Sequence, residues 1–218
     1  IMNFPSSPSF KINNKRALIT GAGKGIGLGA SIALAEAGSE VVMISRTRKD
    51  LEEIKEHLEK IGKRGYYKVL DVNKTSDVEE FVSSEKPFDI LVNNAGTNIP
   101  SSLINSKNKD IEFVISLNIK SVIHSTKCVV KKMLNKKIKG SIINVSSQMG
   151  HVGAKNRTTY CTTKFAIEGF TKSLSLELAQ KGIRVNSISP TFIETPMTKP
   201  FLKNKKFKNE VLSLSLIH

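Results

Sequence analysis

The sequence predicts a single-domain α/β protein built on a doubly wound parallel sheet. Three observations predict it: short apolar runs alternate with longer amphipathic ones, glycines close most of the amphipathic runs, and 218 residues suit one core. Apolar residues make up 39% and charged residues 24%, a balance typical of chains that bury a core. Arg16–Thr20, Glu40–Ser45, Tyr66–Leu70, Phe88–Asn93, Ser141–Val145 and Arg184–Ser189 read as strands. Several are continuously apolar, as strands covered on both faces must be. Helical periodicity runs over Ile26–Ala37, stopped by Gly38, and over Lys49–Ile61, stopped by Gly62. It returns over Ser76–Ser84, Lys109–Asn135 and Thr159–Gln180, the last stopped near Gly182, and Ser76 with Glu79 reads as a capping box. Residues 1–14, with Pro5 and Pro8, read as a flexible leader before a domain over 15–218. Strand–helix–strand units of this kind close as right-handed crossovers, and ligands bind beyond the carboxyl ends of such strands.

Lys+Arg number 34 and Asp+Glu 19, a net charge of +15 that raises nucleic acid, anionic lipid and acidic substrates as partners. The lysines spread over nearly every amphipathic segment, Trp is absent and aromatics are 6%, so no stacking surface for nucleic acid is predicted. No apolar run approaches the roughly 20 residues of a membrane span, and the start of the chain lacks a signal-peptide core, which predicts a cytoplasmic protein with no membrane partner. Cys128 and Cys161 form neither a disulfide framework nor a metal motif, and His57, His124, His151 and His218 share no ligand spacing, so no metal is predicted. A G-x-S-x-G elbow is missing, which argues against a serine hydrolase.

After the first strand comes Gly21-Ala-Gly-Lys24-Gly25-Ile26-Gly27, four glycines in seven residues at the mouth of a helix. A Walker loop needs Ser or Thr after Gly-Lys, and Gly25 stands there instead. A glycine-lined helix start lets the backbone approach a pyrophosphate and offers it unpaired N–H groups; the plainer alternative is a tight strand-to-helix turn. The second strand ends Ser45-Arg46, where a ribose-binding Asp or Glu would indicate NAD(H). Arg46, with Lys24 and Arg48 nearby, instead suits a 2′-phosphate and predicts NADP(H) over NAD(H).

Asn93-Asn94-Ala95-Gly96 follows the fourth strand, Ser146-Ser147 the fifth and Pro190-Thr191 the sixth, while Tyr160 and Lys164 lie one turn apart on one helical face. With the glycine loop, Asn118 and the 13-residue step from Ser147 to Tyr160, these segments resemble the short-chain dehydrogenase/reductase family from about Lys15 to Lys199. Within it, the look is of NADPH-dependent carbonyl and L-xylulose reductases, bacterial sugar dehydrogenases and 3-oxoacyl reductases. The resemblance implies a Rossmann-type fold, Asn118, Ser147, Tyr160 and Lys164 as the catalytic set, and a homodimer or homotetramer. It further places Asn93, Ala95 and Gly96 along the riboses, Asp71 and Val72 at the adenine edge, Pro190 and Thr191 at the cofactor, and Ile193 and Thr195 against the carboxamide and pyrophosphate. For Asp71, a cap on the following helix is the alternative; for Asn118, a polar group that satisfies nearby backbone. Pro190-Thr191 departs from the family's Pro-Gly, and the final helix and seventh strand have no counterpart, which predicts a C-terminally incomplete domain.

Exchange of an alcohol for a ketone needs a hydride path, a proton donor and a group that polarises the carbonyl. A cation about 4 Å from Tyr160, worth up to about 4 kcal/mol before screening, would bring its phenol down by roughly three pKa units, and Lys164 is placed to supply it. Ser147 would donate to the substrate oxygen, and the resemblance further implies that Asn118 helps hold a water chain connecting Lys164 to solvent. The function read here is an NADP(H)-dependent oxidoreductase for a sugar, polyol or small carbonyl compound. The alternatives are a 3-oxoacyl-thioester reductase and, in another class, a non-catalytic dinucleotide-binding regulator. The Lys199–Lys208 run falls where the family carries a substrate lid, and its charge suits an anionic substrate.

Overall fold

The computed structural model describes residues 9–214, so the first eight residues of the expected leader lie outside the described residues. Six parallel strands stand in the order β3-β2-β1-β4-β5-β6. They are β1 (Arg16–Thr20), β2 (Glu40–Ser45), β3 (Gly65–Val69), β4 (Ile90–Asn93), β5 (Ser141–Val145) and β6 (Arg184–Ile188). Between them run α1 (Gly25–Glu36), α2 (Arg48–Lys60), α3 (Thr75–Ser84), α4 (Asn108–Ile115), α5 (Ser121–Asn135) and α6 (Thr158–Leu178), followed after β6 by α7 (Lys199–Leu202) and α8 (Lys205–Leu214).

Alternation along the central strands explains their all-apolar sequence. Leu18, Val42, Ile44 and Leu91 point into one core with Phe81, Val129, Met133 and Ile142, under α3 and α5. Their neighbours Ala17, Ile19, Val41, Met43, Ile90 and Val92 point the other way, against Leu51, Ile54 and Leu58 of α2. Over β6 the second face has no covering helix among the described residues, and Arg184, Asn186 and Ile188 are exposed there. Gly182 ends the Ala179–Lys181 turn after α6 at φ +71°, a left-handed conformation that glycine adopts without strain.

The structure departs from the sequence expectations in two places. The helix expected over Lys109–Asn135 is two α-helices joined by a π-helical turn over Ser116–Lys120, which periodicity alone does not disclose. The capping box at Ser76 does not form: α3 starts a residue earlier, Lys74 is its N-cap, and the Ser76 hydroxyl bonds Asp77 Oδ1 instead. The helical run Asn108–Asn135 is long and apolar enough to span a bilayer, yet the face bearing Val122, Ser125, Val129 and Met133 is buried against the sheet.

At the amino ends of the strands, Arg16 ties three elements together. Its guanidinium donates to Glu40 on β2 at 2.6 Å and to Glu85 at 2.5 Å, and lies 4.6 Å from the centroid of Phe88. Burial works against its charge, but the two carboxylates prevail and hold its pKa above the ordinary arginine value. Arg16→Ala is therefore expected to destabilise the fold by about 2–3 kcal/mol, because two half-buried carboxylates lose their partner. Urea unfolding should show a lower midpoint at an unchanged slope.

Candidate functional site

Both directions of winding start at the β1/β4 boundary, so the loops that follow these strands diverge and leave a crevice above the sheet. A cleft of about 450 Å³ opens there. Gly21, Lys24, Gly25 and Ile26 line it from the loop after β1, Ser45 and Arg46 from the end of β2, and Ala95 and Gly96 from the turn after β4. Ser147 closes it after β5, Pro190, Thr191, Ile193 and Thr195 after β6, and Tyr160 and Lys164 from α6. Residues scattered over the chain thus meet because every loop leaves the same end of a parallel sheet.

Five residues expected at the site lie off the cleft. Gly27 is buried in the first turn of α1, where a Cβ would stand 2.4 Å from the Gly21 carbonyl oxygen and from Asn94 Nδ2; its role is close packing. Val72 belongs to the core under α3. Asp71 accepts the Asn73 N–H at 3.0 Å in a turn before α3 and does not cap that helix, whose N-cap is Lys74. Asn93 is 3% exposed and spends its amide on Thr126 and Asn144, both at 2.8 Å. Asn118 is 1% exposed: its Oδ1 accepts Thr97 N–H at 2.8 Å, and its Nδ2 donates to the Thr97 carbonyl at 2.9 Å and to Thr163 Oγ1 at 3.1 Å. With its amide so occupied, Asn118 shapes the backbone at Thr97, beside Gly96.

Other residues take part that the sequence did not single out. The second asparagine of Asn93-Asn94 donates from Nδ2 to the Thr20 and Gly21 carbonyls at 3.1 and 3.0 Å, and Thr20 Oγ1 accepts from the N–H groups of Asn94 and Ala95. These bonds fasten the glycine loop to the turn after β4. Asp50, in the first turn of α2, also lines the cleft and pairs with Lys24 at 3.3 Å, while Arg48 turns to Glu52 at 3.6 Å. Of the three cations expected around a 2′-phosphate, Arg46 is the one with no carboxylate within 4 Å among the described residues.

At the far end, Lys164 is 7% exposed and donates from Nζ to the Val145 carbonyl at 2.8 Å, with Nζ 5.6 Å from the centroid of Tyr160. Burial lowers its pKa to about 8, against a smaller upward pull from Glu168. Glu168, one turn further along α6, accepts from Ser187 and Ser189 at 2.9 and 3.1 Å, and His151 lies 3.6 Å away. Burial favours its neutral form, but the nearby Ser146 hydroxyl, the hydrogen bonds from Ser187 and Ser189 and the neighbouring His151 outweigh that and hold its pKa below the usual carboxylate value. Helical spacing from Lys164 was the signal for Glu168; the serines on the neighbouring strand were not legible.

Burial raises the Tyr160 pKa above that of a free phenol, and the hydrogen bond with Ser147 and the charge of Arg157 offset this only in part. The Lys164 ammonium is aimed at the Val145 carbonyl and is itself desolvated. Tyr160 lines the cleft beside it.

A family profile described as short chain dehydrogenase matches residues 15–206. Among curated relatives, the chain is 37% identical over 193 residues to the 3-oxoacyl-[acyl-carrier-protein] reductase of Buchnera aphidicola subsp. Schizaphis graminum, covering 87% of this chain and 78% of the relative. It is 37% identical over 183 residues to L-xylulose reductase of Mus musculus, covering 84% and 73%. Among solved structures, the gluconate 5-dehydrogenase of Burkholderia cenocepacia J2315 in complex with NADP and tartrate superposes with a TM-score of 0.87 at 29% identity, covering 93% of this chain and 80% of that one. A sheet with this strand order, a cleft at its switch point and a profile match over most of the chain lead to one conclusion: this protein belongs to the short-chain dehydrogenase family, whose enzymes act on CH–OH and carbonyl groups.

Proposed function

We propose that this chain is an NADP(H)-dependent oxidoreductase that interconverts a secondary alcohol and a ketone in a sugar, polyol or small carbonyl compound. The convergence of Ser147, Tyr160 and Lys164 on one end of a cleft whose other end presents Arg46 carries this reading. The cleft suits a dinucleotide: α1 opens onto it with no acidic residue in its first turn, leaving its positive end for the phosphates. Arg46 would hold the 2′-phosphate, and four structures similar to this one contain NADP or NADPH. When bound, the nicotinamide supplies or accepts the hydride.

The side chains do the rest. Tyr160 gives its proton to the carbonyl oxygen as the alcohol forms, and takes it back in the reverse direction. Ser147, already bonded to the phenol, donates to the same oxygen as negative charge builds there. Lys164, buried and cationic below about pH 8, stabilises the phenolate left behind. A regulator that only bound a dinucleotide would need none of these three. Reduction of 3-oxoacyl thioesters is the second reading, favoured by the relative of that activity.

The exposed Ile123, Phe165 and Leu176 on α5 and α6 support homo-oligomerisation through these helices. The free cysteines Cys128 and Cys161 fit a reducing, cytoplasmic setting.

Tyr160→Phe is expected to lower kcat for NADPH-dependent ketone reduction by about 10²–10⁴-fold. Parental turnover with a panel of ketones would remove Tyr160 from the chemistry. Arg46→Ala should raise KM for NADPH about 10- to 100-fold while KM for NADH moves little, because a charge-assisted contact to the extra phosphate is lost. For Lys164 the sign follows from its depressed pKa. The unfolded chain holds this proton up to about pH 10, so burying the charge opposes folding below about pH 8, and the penalty fades as pH rises from there. Lys164→Met should gain about 1–3 kcal/mol at pH 7 and less at pH 9.5, read by chemical denaturation, with activity lost at both.

A further inference from the structure

One buried charge has no use in the chemistry derived above. Glu168, 7% exposed and one turn from Lys164 on the same face of α6, does not line the cleft and so meets neither substrate nor cofactor there. Burying a carboxylate is costly, and an amide or an apolar side chain would fill the same space without that cost. The surroundings are nevertheless built to keep it ionised. Ser187 on β6 and Ser189 just after it each donate a hydroxyl to one of its oxygens, at 2.9 and 3.1 Å. His151, 3.1 Å from Ser189 Oγ, lies against the carboxylate at 3.6 Å from the turn after β5. That turn is packed down closely: a Cβ at Gly150 would stand 3.2 Å from Glu168 Cγ and 2.8 Å from Ser146 Oγ. Among the described residues, the titratable groups facing Glu168 are Lys164 on its own helix and His151, while β6 and the residue after it present serines.

Of these groups, Lys164 is the buried one and the one the reaction uses. Its ammonium has given up water for the Val145 carbonyl at 2.8 Å, and the attraction of Glu168 opposes the loss of its proton. Away from solvent, a carboxylate one helical turn off keeps its effect, worth about one pH unit to the ammonium at an effective dielectric near 20. We infer that Glu168 is a positioning residue of the reduction: its charge keeps Lys164 protonated beside Tyr160, so that the cation is in place under mildly alkaline conditions where burial alone would discharge it. The inference rests on the oxidoreductase reading and adds to it a group outside the cleft.

The first test is the pH profile of kcat for NADPH-dependent reduction of a ketone panel that includes L-xylulose and acetoacetyl-CoA, on the parent, Glu168→Gln and Glu168→Asp. The alkaline limb of the parent should fall near pH 8. In Glu168→Gln it should move down by about one unit, so that kcat drops about 2-fold at pH 7 and about 8-fold at pH 8.5, with KM for NADPH little changed. Glu168→Asp, which keeps the charge, should leave the limb close to that of the parent. A loss equal at every pH, with the limb unmoved, would assign Glu168 to packing alone and overturn the inference.

The second test needs no turnover. Lys164→Met should raise the urea midpoint at pH 7 by more in the Glu168→Gln background than in the parent, because the buried ammonium there has lost its carboxylate. Equal gains in the two backgrounds would overturn the inference as well. A parent that binds NADPH and reduces no ketone of the panel would instead overturn the oxidoreductase reading, while the stability comparison still decides whether Glu168 holds the charge. Should Glu168→Gln fail to fold, Glu168→Leu with Ser187→Ala and Ser189→Ala removes the charge together with the hydroxyls that depend on it and carries both tests.

Discussion

The boundary between β1 and β4 is the constraint on which the site depends. Crossovers leave it in both directions, so no helix packs across the carboxyl ends of these two strands. The chain spans the gap with directional bonds: Asn94 holds the carbonyls of Thr20 and Gly21, and the Thr20 hydroxyl accepts two N–H groups from the facing turn. These bonds hold the two loops in register where they line the cleft. Gly21 and Gly27 are required by the same closeness, since a Cβ at either would meet the Asn94 amide at 2.9 Å or less.

Charge at the reactive end is arranged at a cost to folding. Lys164 is desolvated enough to bring its pKa to about 8, and Tyr160 is held above its ordinary value by the same burial. Neither group relieves the other by direct pairing; the backbone carbonyl of Val145 and the more distant Glu168 support the ammonium. Such an arrangement suits proton donation: the phenol keeps its proton until a carbonyl oxygen acquires charge, and the cation is already in place for the anion that forms. Arg46 lines the other end of the cleft, where the Lys24–Asp50 pair neutralises one neighbouring cation.

Much of the fold was legible in the residues. Continuous apolar runs such as Val41–Ile44 could only be strands covered on both faces, and the glycine loop could only follow the first of them. Ser147, Tyr160 and Lys164 were legible through the family resemblance, and the structure brings all three to the cleft because each follows a strand or lies on one face of α6. Less legible were Asn93 against Asn94 and Asn118 against its neighbours: these are polar residues of the same type, and their partners, Thr126, Asn144, Thr97 and Thr163, are distant in sequence. The π turn at Ser116–Lys120 escaped for a similar reason, since a one-residue change in helical hydrogen bonding hardly disturbs a pattern read over several turns.

Local spacing and the alternation of apolar and polar residues, properties of neighbours along the chain, determined by themselves the alternating elements and the glycine loop after the first strand, while the resemblance to the short-chain dehydrogenase/reductase family singled out Ser147, Tyr160 and Lys164. Tertiary structure alone decided which asparagine braces the loop, where the Lys164 ammonium points, and how Glu168 gathers serines from β6 and the residues just after it. Those outcomes are set by desolvation and by hydrogen bonds between distant segments, and neither exists until the sheet has brought the segments together.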